Sequence, residues 1–198
     1  MITTRRLFAL CLLCAATLTA SAAETLLKDD FSDPKLKQRR ASRGDWAFAD
    51  GVATCTQDDA LYKKYKNHGP IIFYDVPLQD GRVRFSFKAD GAKTVVFTAN
   101  GAEGHVFRFV MSERGTSVRA FPTDDKAHKS IGLSTEALPL KSGEWVPVEV
   151  DLRGSKASVK IGDFAKTYDH ASLARAKTNI SIGFSFGTLA VKDVVVEK

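Results

Sequence analysis

Cysteine is scarce: the chain holds three in 198 residues. Two of these, Cys11 and Cys14, fall in an N-terminal stretch that reads as a removable leader. Cys55 is then the one thiol left, and one thiol excludes an intramolecular disulfide. Set between Thr54 and Thr56 in a strand-like run, it reads as a small packed residue rather than a nucleophile. Long apolar runs are lacking after the leader, so no later segment has the roughly 20 residues a membrane-crossing helix needs. Helical periodicity is scarce. Asp169–Ala176, with Asp169 as its cap, is the one stretch that suggests a short helix. Internal repeats, low-complexity segments and domain linkers are missing. So are Gly-x-Gly-x-x-Gly and the P-loop, and no cofactor is expected.

Met1–Ala23 has the parts of a secretory signal. Arg5-Arg6 supply a positive start, Leu7–Ala16 a short apolar core, and the small residues around Ala22-Ala23 a cleavage site. Thr4-Arg5-Arg6-Leu7-Phe8 also matches a twin-arginine signal, although an ordinary Sec signal is the simpler reading. Neither leader cysteine follows the small residues that a lipid anchor requires. The mature protein is therefore expected to be secreted or periplasmic. It keeps about 175 residues, enough for one domain (24–198) with a sizeable core. Losing the two arginines lowers the net charge of +6 by two. The densest basic cluster, Lys35–Arg43, reads as a solvated loop. Export and the lack of a repeated basic and aromatic pattern argue against a nucleic-acid partner.

What the chain has is strands. In Arg82–Lys88, Val83, Phe85 and Phe87 alternate with polar residues, the period of a half-buried strand. Thr94–Ala99 and Gly104–Met111 follow. In the last, His105, Phe107, Phe109 and Met111 share one face and Val106, Arg108 and Val110 the other, so this strand is expected to be central. Arg108 amid apolar neighbours needs a partner, because an unpaired buried charge is costly. A carboxylate of the fold and a ligand both satisfy that need. Further strands are expected at Leu26–Phe31, in a hairpin over Trp46–Cys55 with Asp50-Gly51 at its turn, and at Ile71–Val76. Others are Ser117–Phe121, Trp145–Leu152, Ala157–Ile161, Phe164–Tyr168, Ile180–Phe186 and Leu189–Val196. About a dozen short strands without helices mean an all-β sandwich or barrel.

An ordered set of short pieces runs through the mature chain. They are Asp29-Asp30-Phe31, the hairpin Trp46–Val52, His68-Gly69, Gly104-His105-Val106-Phe107-Arg108 and Asp124-Asp125-Lys126. Asp169-His170 with Lys177, and Val191-Lys192-Asp193-Val194, complete the set. In this order the chain resembles a concanavalin A-like lectin/glucanase sandwich. It looks like the branch that holds the 3-keto-disaccharide hydrolase-like domains of planctomycete-type secreted proteins. The resemblance implies an antiparallel jelly roll, with first and last strands adjacent and a concave face that commonly holds sugars. It points to His68, His105 and His170 as candidate catalytic residues, and to Arg108, His105, Asp125, Lys126 and Lys177 as candidate ligand contacts. Convergence is required, and His105 and Arg108 alternate to opposite faces unless His105 lies at the strand's end.

Other chemistries fit less well. Glycoside hydrolysis uses two carboxylates about 5 to 9.5 Å apart. Glucanases of this fold carry Glu-x-Asp and then a second Glu on one strand. Glu149-Val150-Asp151 lacks that second Glu and reads as an exposed strand face. Gly183-Phe184-Ser185-Phe186-Gly187 matches a nucleophile elbow, but it lies in a strand pattern rather than at a strand-to-helix turn. No spacing supports a metal site among the histidines. Calcium at Asp29-Asp30 or Asp58-Asp59 lacks a specific motif. Three functions are left. The first is an exported carbohydrate-binding or accessory domain. The second is a hydrolase or lyase of keto-glycosides with a His as general base. The third is an envelope scaffold without a small ligand.

Overall fold

The computed structural model describes residues 23–123 and 129–198. The expected leader up to Ala22, and the candidates Asp125 and Lys126, lie outside the described residues. In chain order the first strands are β1 (Thr25–Asp29), β2 (Arg39–Ser42), β3 (Ala47–Ala49), β4 (Val52–Thr56) and β5 (Ile71–Tyr74). Next come β6 (Gly81–Asp90), β7 (Thr94–Gly101), β8 (Gly104–Ser112), β9 (Gly115–Ala120) and β10 (Ile131–Glu136). The last are β11 (Trp145–Arg153), β12 (Lys156–Ile161), β13 (Phe164–Asp169), β14 (Asn179–Ser185) and β15 (Thr188–Glu197). One helix, α1 (Asp59–Lys64), sits between β4 and β5.

The strands build two antiparallel sheets, which is the expected sandwich. One runs β13-β12-β11-β6-β15-β4-β3, with β1 also on β15. The other runs β10-β9-β8-β7-β14-β5-β2. The ends of the chain are neighbours as expected: Lys28 pairs with Val195 and Asp29 with Val194. β1 can follow β4 along the same edge of β15 because Asp193, at φ 56°, interrupts the register there. Alternation decides what enters the core. Phe85 of one sheet stacks on Phe97 of the other at 6.0 Å, and Phe97 stacks on Phe109 at 5.4 Å.

Two local expectations are corrected, and two elements were not foreseen. The Lys35–Arg43 cluster is a solvated loop only at its start, where Lys35 and Lys37 are exposed, because Arg39 begins β2 and is buried. Its guanidinium meets both carboxylate oxygens of Asp29 at 2.8 Å. The Tyr74 hydroxyl donates to the same carboxylate at 2.9 Å. Asp29 belongs to one sheet, Arg39 and Tyr74 to the other, so this buried pair ties the layers together. The short helix expected over Asp169–Ala176 shrinks to a 3-10 turn, Ala171–Ala174, capped by His170 rather than Asp169. Strand β10 and helix α1 had no counterpart in the sequence pattern. The helix is capped by Asp58 and buries no residue, so it shows no apolar stripe.

Candidate functional site

The face of the seven-stranded sheet turned away from the core carries a groove of about 440 Å³. Strand pairing explains its floor. Arg119 lies opposite Arg108, Arg108 opposite Thr98, Thr98 opposite Ser181, and Ser181 opposite Phe73. These outward residues form one row across five strands, while their neighbours Phe109, Phe97, Ile182 and Ile72 point inward and are buried. One wall is the segment from α1 to β5, with Tyr62, Asn67, His68 and Pro70. Gly69 lets that wall sit tight on the sheet, since a Cβ there would lie 1.9 Å from the Phe184 carbonyl oxygen.

His105 and Arg108 do share a face, against simple alternation. Ala99 pairs with Phe107 but Asn100 pairs with His105, so Val106 is an extra residue, a β-bulge. Val106 and Phe107 are consecutively buried, and His105 is returned to the outer side. Arg108 then donates to His105 Nε2 at 2.7 Å and through Nε to Thr98 Oγ1 at 3.1 Å. Arginine only donates, so Nε2 is the acceptor and the His105 proton sits on Nδ1. Nδ1 donates to Asn100 Oδ1 at 2.6 Å, and the Asn100 amide donates to Asn179 at 2.8 Å. Burial first, then the Arg108 charge, pushes the His105 pKa down to about 4. His105 is therefore neutral near pH 7, with its lone pair engaged. That makes it an orienting group for Arg108, with no free lone pair for the general-base role that the three histidines were candidates for.

Arg108 has no carboxylate partner among the described residues. It lies 5.4 Å from the centre of the Phe121 ring. Burial, and next the Arg119 charge, lower its pKa from the ordinary value. His68 also lines the groove. Its Nδ1 lies 2.9 Å from the Tyr65 carbonyl and 3.0 Å from that of Lys66, so Nδ1 carries the proton and Nε2 keeps its lone pair.

The other candidates do not join this group. Lys177 is buried and donates to the Gln79 carbonyl at 2.7 Å, away from the groove. Burial is the main cause of its lowered pKa. His170 caps the 3-10 turn, its Nδ1 bonded to Ser172. Glu149 and Asp151 lie on the outer face of the opposite sheet, with Lys160, Arg82 and Arg153 as partners. Ser185 ends β14, and Phe186-Gly187, both at positive φ, turn the chain directly into β15. Asp29 is engaged by Arg39, Asp30 accepts from Ser32, and Asp58 caps α1, so these acids are occupied. The residues missed in the sequence were Arg43, Tyr62, Phe73, Thr98, Asn100 and Ser181. The strand residues among them stand at alternating positions between buried ones, a signal that marks an outward face but not a groove. The described lining includes neither Asp nor Glu, so no carboxylate pair for glycoside hydrolysis forms there among the described residues.

No family model and no curated protein matches the chain. Solved structures match its fold. A non-specific endo-β-1,3(4)-glucanase of family GH16, SCLam, superposes with a TM-score of 0.65 at 11% identity, covering 90% of this chain and 92% of that one. A β-glucanase from Bacillus licheniformis gives 0.61 at 10% identity, with 88% and 98% covered. The carbohydrate-binding module CBM66 from Bacillus subtilis gives 0.60 at 9% identity, with 81% and 96% covered. The architecture is the concanavalin A-like jelly roll.

Proposed function

We propose that this jelly-roll sandwich is a carbohydrate-recognition or accessory domain that holds a glycan in the groove of its seven-stranded sheet. The observation that carries this reading is the lining itself. Its volume suits a small ligand. Thr98, Asn100, Ser181 and Arg108 offer hydrogen bonds suited to sugar hydroxyls, while Tyr62 and Phe73 offer aromatic surface. A lining without Asp or Glu among the described residues favours binding over hydrolysis by two acids. The reading includes export, supported by the leader-like Met1–Ala23.

A glycan-array screen of the purified protein tests it. Wild type is expected to retain at least one glycan. Arg108→Ala should abolish that binding, and His105→Ala should weaken it by releasing the guanidinium. Both variants should melt within a few degrees of wild type, because neither strands a buried carboxylate. Absence of any glycan binding by wild type overturns the reading.

A second reading is supported by His68 alone. Its free Nε2 in the groove suits a general base, and the resemblance to 3-keto-disaccharide hydrolase-like domains suggests a keto-glycoside as substrate. Turnover of such glycosides by wild type and its loss in His68→Asn would establish this reading; no turnover by wild type would end it.

A further inference from the structure

We infer that the groove selects glycans bearing an oxyanion, a sugar carboxylate or a sulfate ester, and that Arg108 reads that group. This rests on the glycan reading above and narrows it. The charged lining has one sign: Arg43 and Arg108 line the groove, and no acid does among the described residues. Six arginines outside the groove are treated differently. Arg39, Arg40, Arg82, Arg84, Arg153 and Arg175 each meet a carboxylate. Arg43, Arg108, Arg114 and Arg119 form no ion pair among the described residues, and of these Arg43 and Arg108 line the groove.

Arg108 and Arg119 also face each other in register on β8 and β9. Like charges directly opposite on a sheet repel, and an anion placed between or beside them removes that cost. The Arg108 guanidinium is held only by neutral partners. Nε is bonded to Thr98 and one terminal nitrogen to His105. The other terminal nitrogen has no hydrogen-bond partner among the described residues. A planar fork held by neutral groups suits paired oxygens on carboxylate or sulfate, and its preset orientation lowers the entropy lost on binding. The lowered pKa of Arg108 agrees, since burial and Arg119 both disfavour a charge that an anion would favour.

Titration calorimetry with five probes tests this. They are four sugars, namely a uronate oligosaccharide, a sulfated oligosaccharide and the carboxyl-reduced or desulfated form of each, with inorganic sulfate as a fifth, sugar-free control. At least one anionic sugar is expected to bind about tenfold or more tightly than its neutral form, and added salt should shrink the difference. The better of the two anionic sugars identifies the group. Arg108→Lys keeps the charge but loses the fork. It should lose about tenfold for the anionic sugar while melting like wild type. Neutral sugars binding as tightly as anionic ones overturn the inference and leave the glycan reading standing. Binding of none of these sugars overturns the inference, and a glycan array without any bound glycan overturns the glycan reading as well. Inorganic sulfate binding as tightly as the sulfated sugar reduces the site to an anion site. An Arg108→Lys variant that keeps full preference removes Arg108 from the role.

Discussion

Arg39→Met tests whether the buried pair between the sheets holds the sandwich together. Arg39 is 9% exposed and Asp29 is 3% exposed. The guanidinium bonds both Asp29 oxygens at 2.8 Å, donates to the Asp33 carbonyl at 2.6 Å, and lies 4.0 Å from the Phe48 ring centre. Methionine would replace some of the packed volume but none of the charge. Asp29 would keep the Tyr74 hydroxyl and the Phe31 amide, each at 2.9 Å, and lose its only cation among the described residues. Breaking a buried pair from one side costs about 3 to 5 kcal/mol. At roughly 2 to 4 °C per kcal/mol for a domain of this size, the melting temperature should fall by about 6 to 20 °C. Calorimetric melting of wild type and variant measures it. Removing both charges, as in Asp29→Leu with Arg39→Met, should recover part of the loss, because an apolar pair strands no ion. A single variant that melts within about 2 °C of wild type would refute the reasoning. So would a double variant less stable than the sum of its two single changes.

Three further outcomes are expected. Cys55 is buried, and burial followed by the nearby Asp45 charge lifts its pKa to about 11, so native protein should resist a thiol reagent at neutral pH until denatured. Removing Leu189–Lys198 strips most of β15 from between β6 and its other neighbours β4 and β1; the truncated chain should show no cooperative melting, whereas melting at the full-length temperature would contradict the pairing. Between pH 6.5 and about 4 the unfolded chain takes up a proton at His105 that the folded chain refuses, so stability should fall as pH drops across this window. His105→Asn should flatten that part of the stability curve, and an unchanged slope would show that Arg108 does not hold His105 neutral.

Most strands were legible because facing the core is a local property. Val83, Phe85 and Phe87, or Val148, Val150 and Leu152, repeat every two residues, and the pleat turns that spacing into one buried face. The Asp50-Gly51 turn was legible for the same reason, since both residues adopt the positive φ that such a turn needs. The ends of the chain were expected side by side through resemblance, and β1 does pair with β15. The polar segments β2 and α1 carried no such period.

The site depended on what local pattern cannot contain. Alternation placed His105 and Arg108 on opposite faces; one extra residue, Val106, sets them 2.7 Å apart, and two consecutive apolar residues fit a bulge as well as a regular strand. Arg39 looked like one more loop cation until the fold brought Asp29 to it from the other sheet. Lys177 looked like a ligand contact and is buried on a backbone carbonyl 98 residues away in sequence. Thr98 and Ser181 read as ordinary outward residues, and only sheet pairing lines them up with Arg108 on a groove floor. Chain order determined which residues of the regular strands face in and out, because that choice is made every two residues. Which outward residues meet, and which charges find partners, was decided by tertiary structure, because those distances are set between strands far apart in the chain.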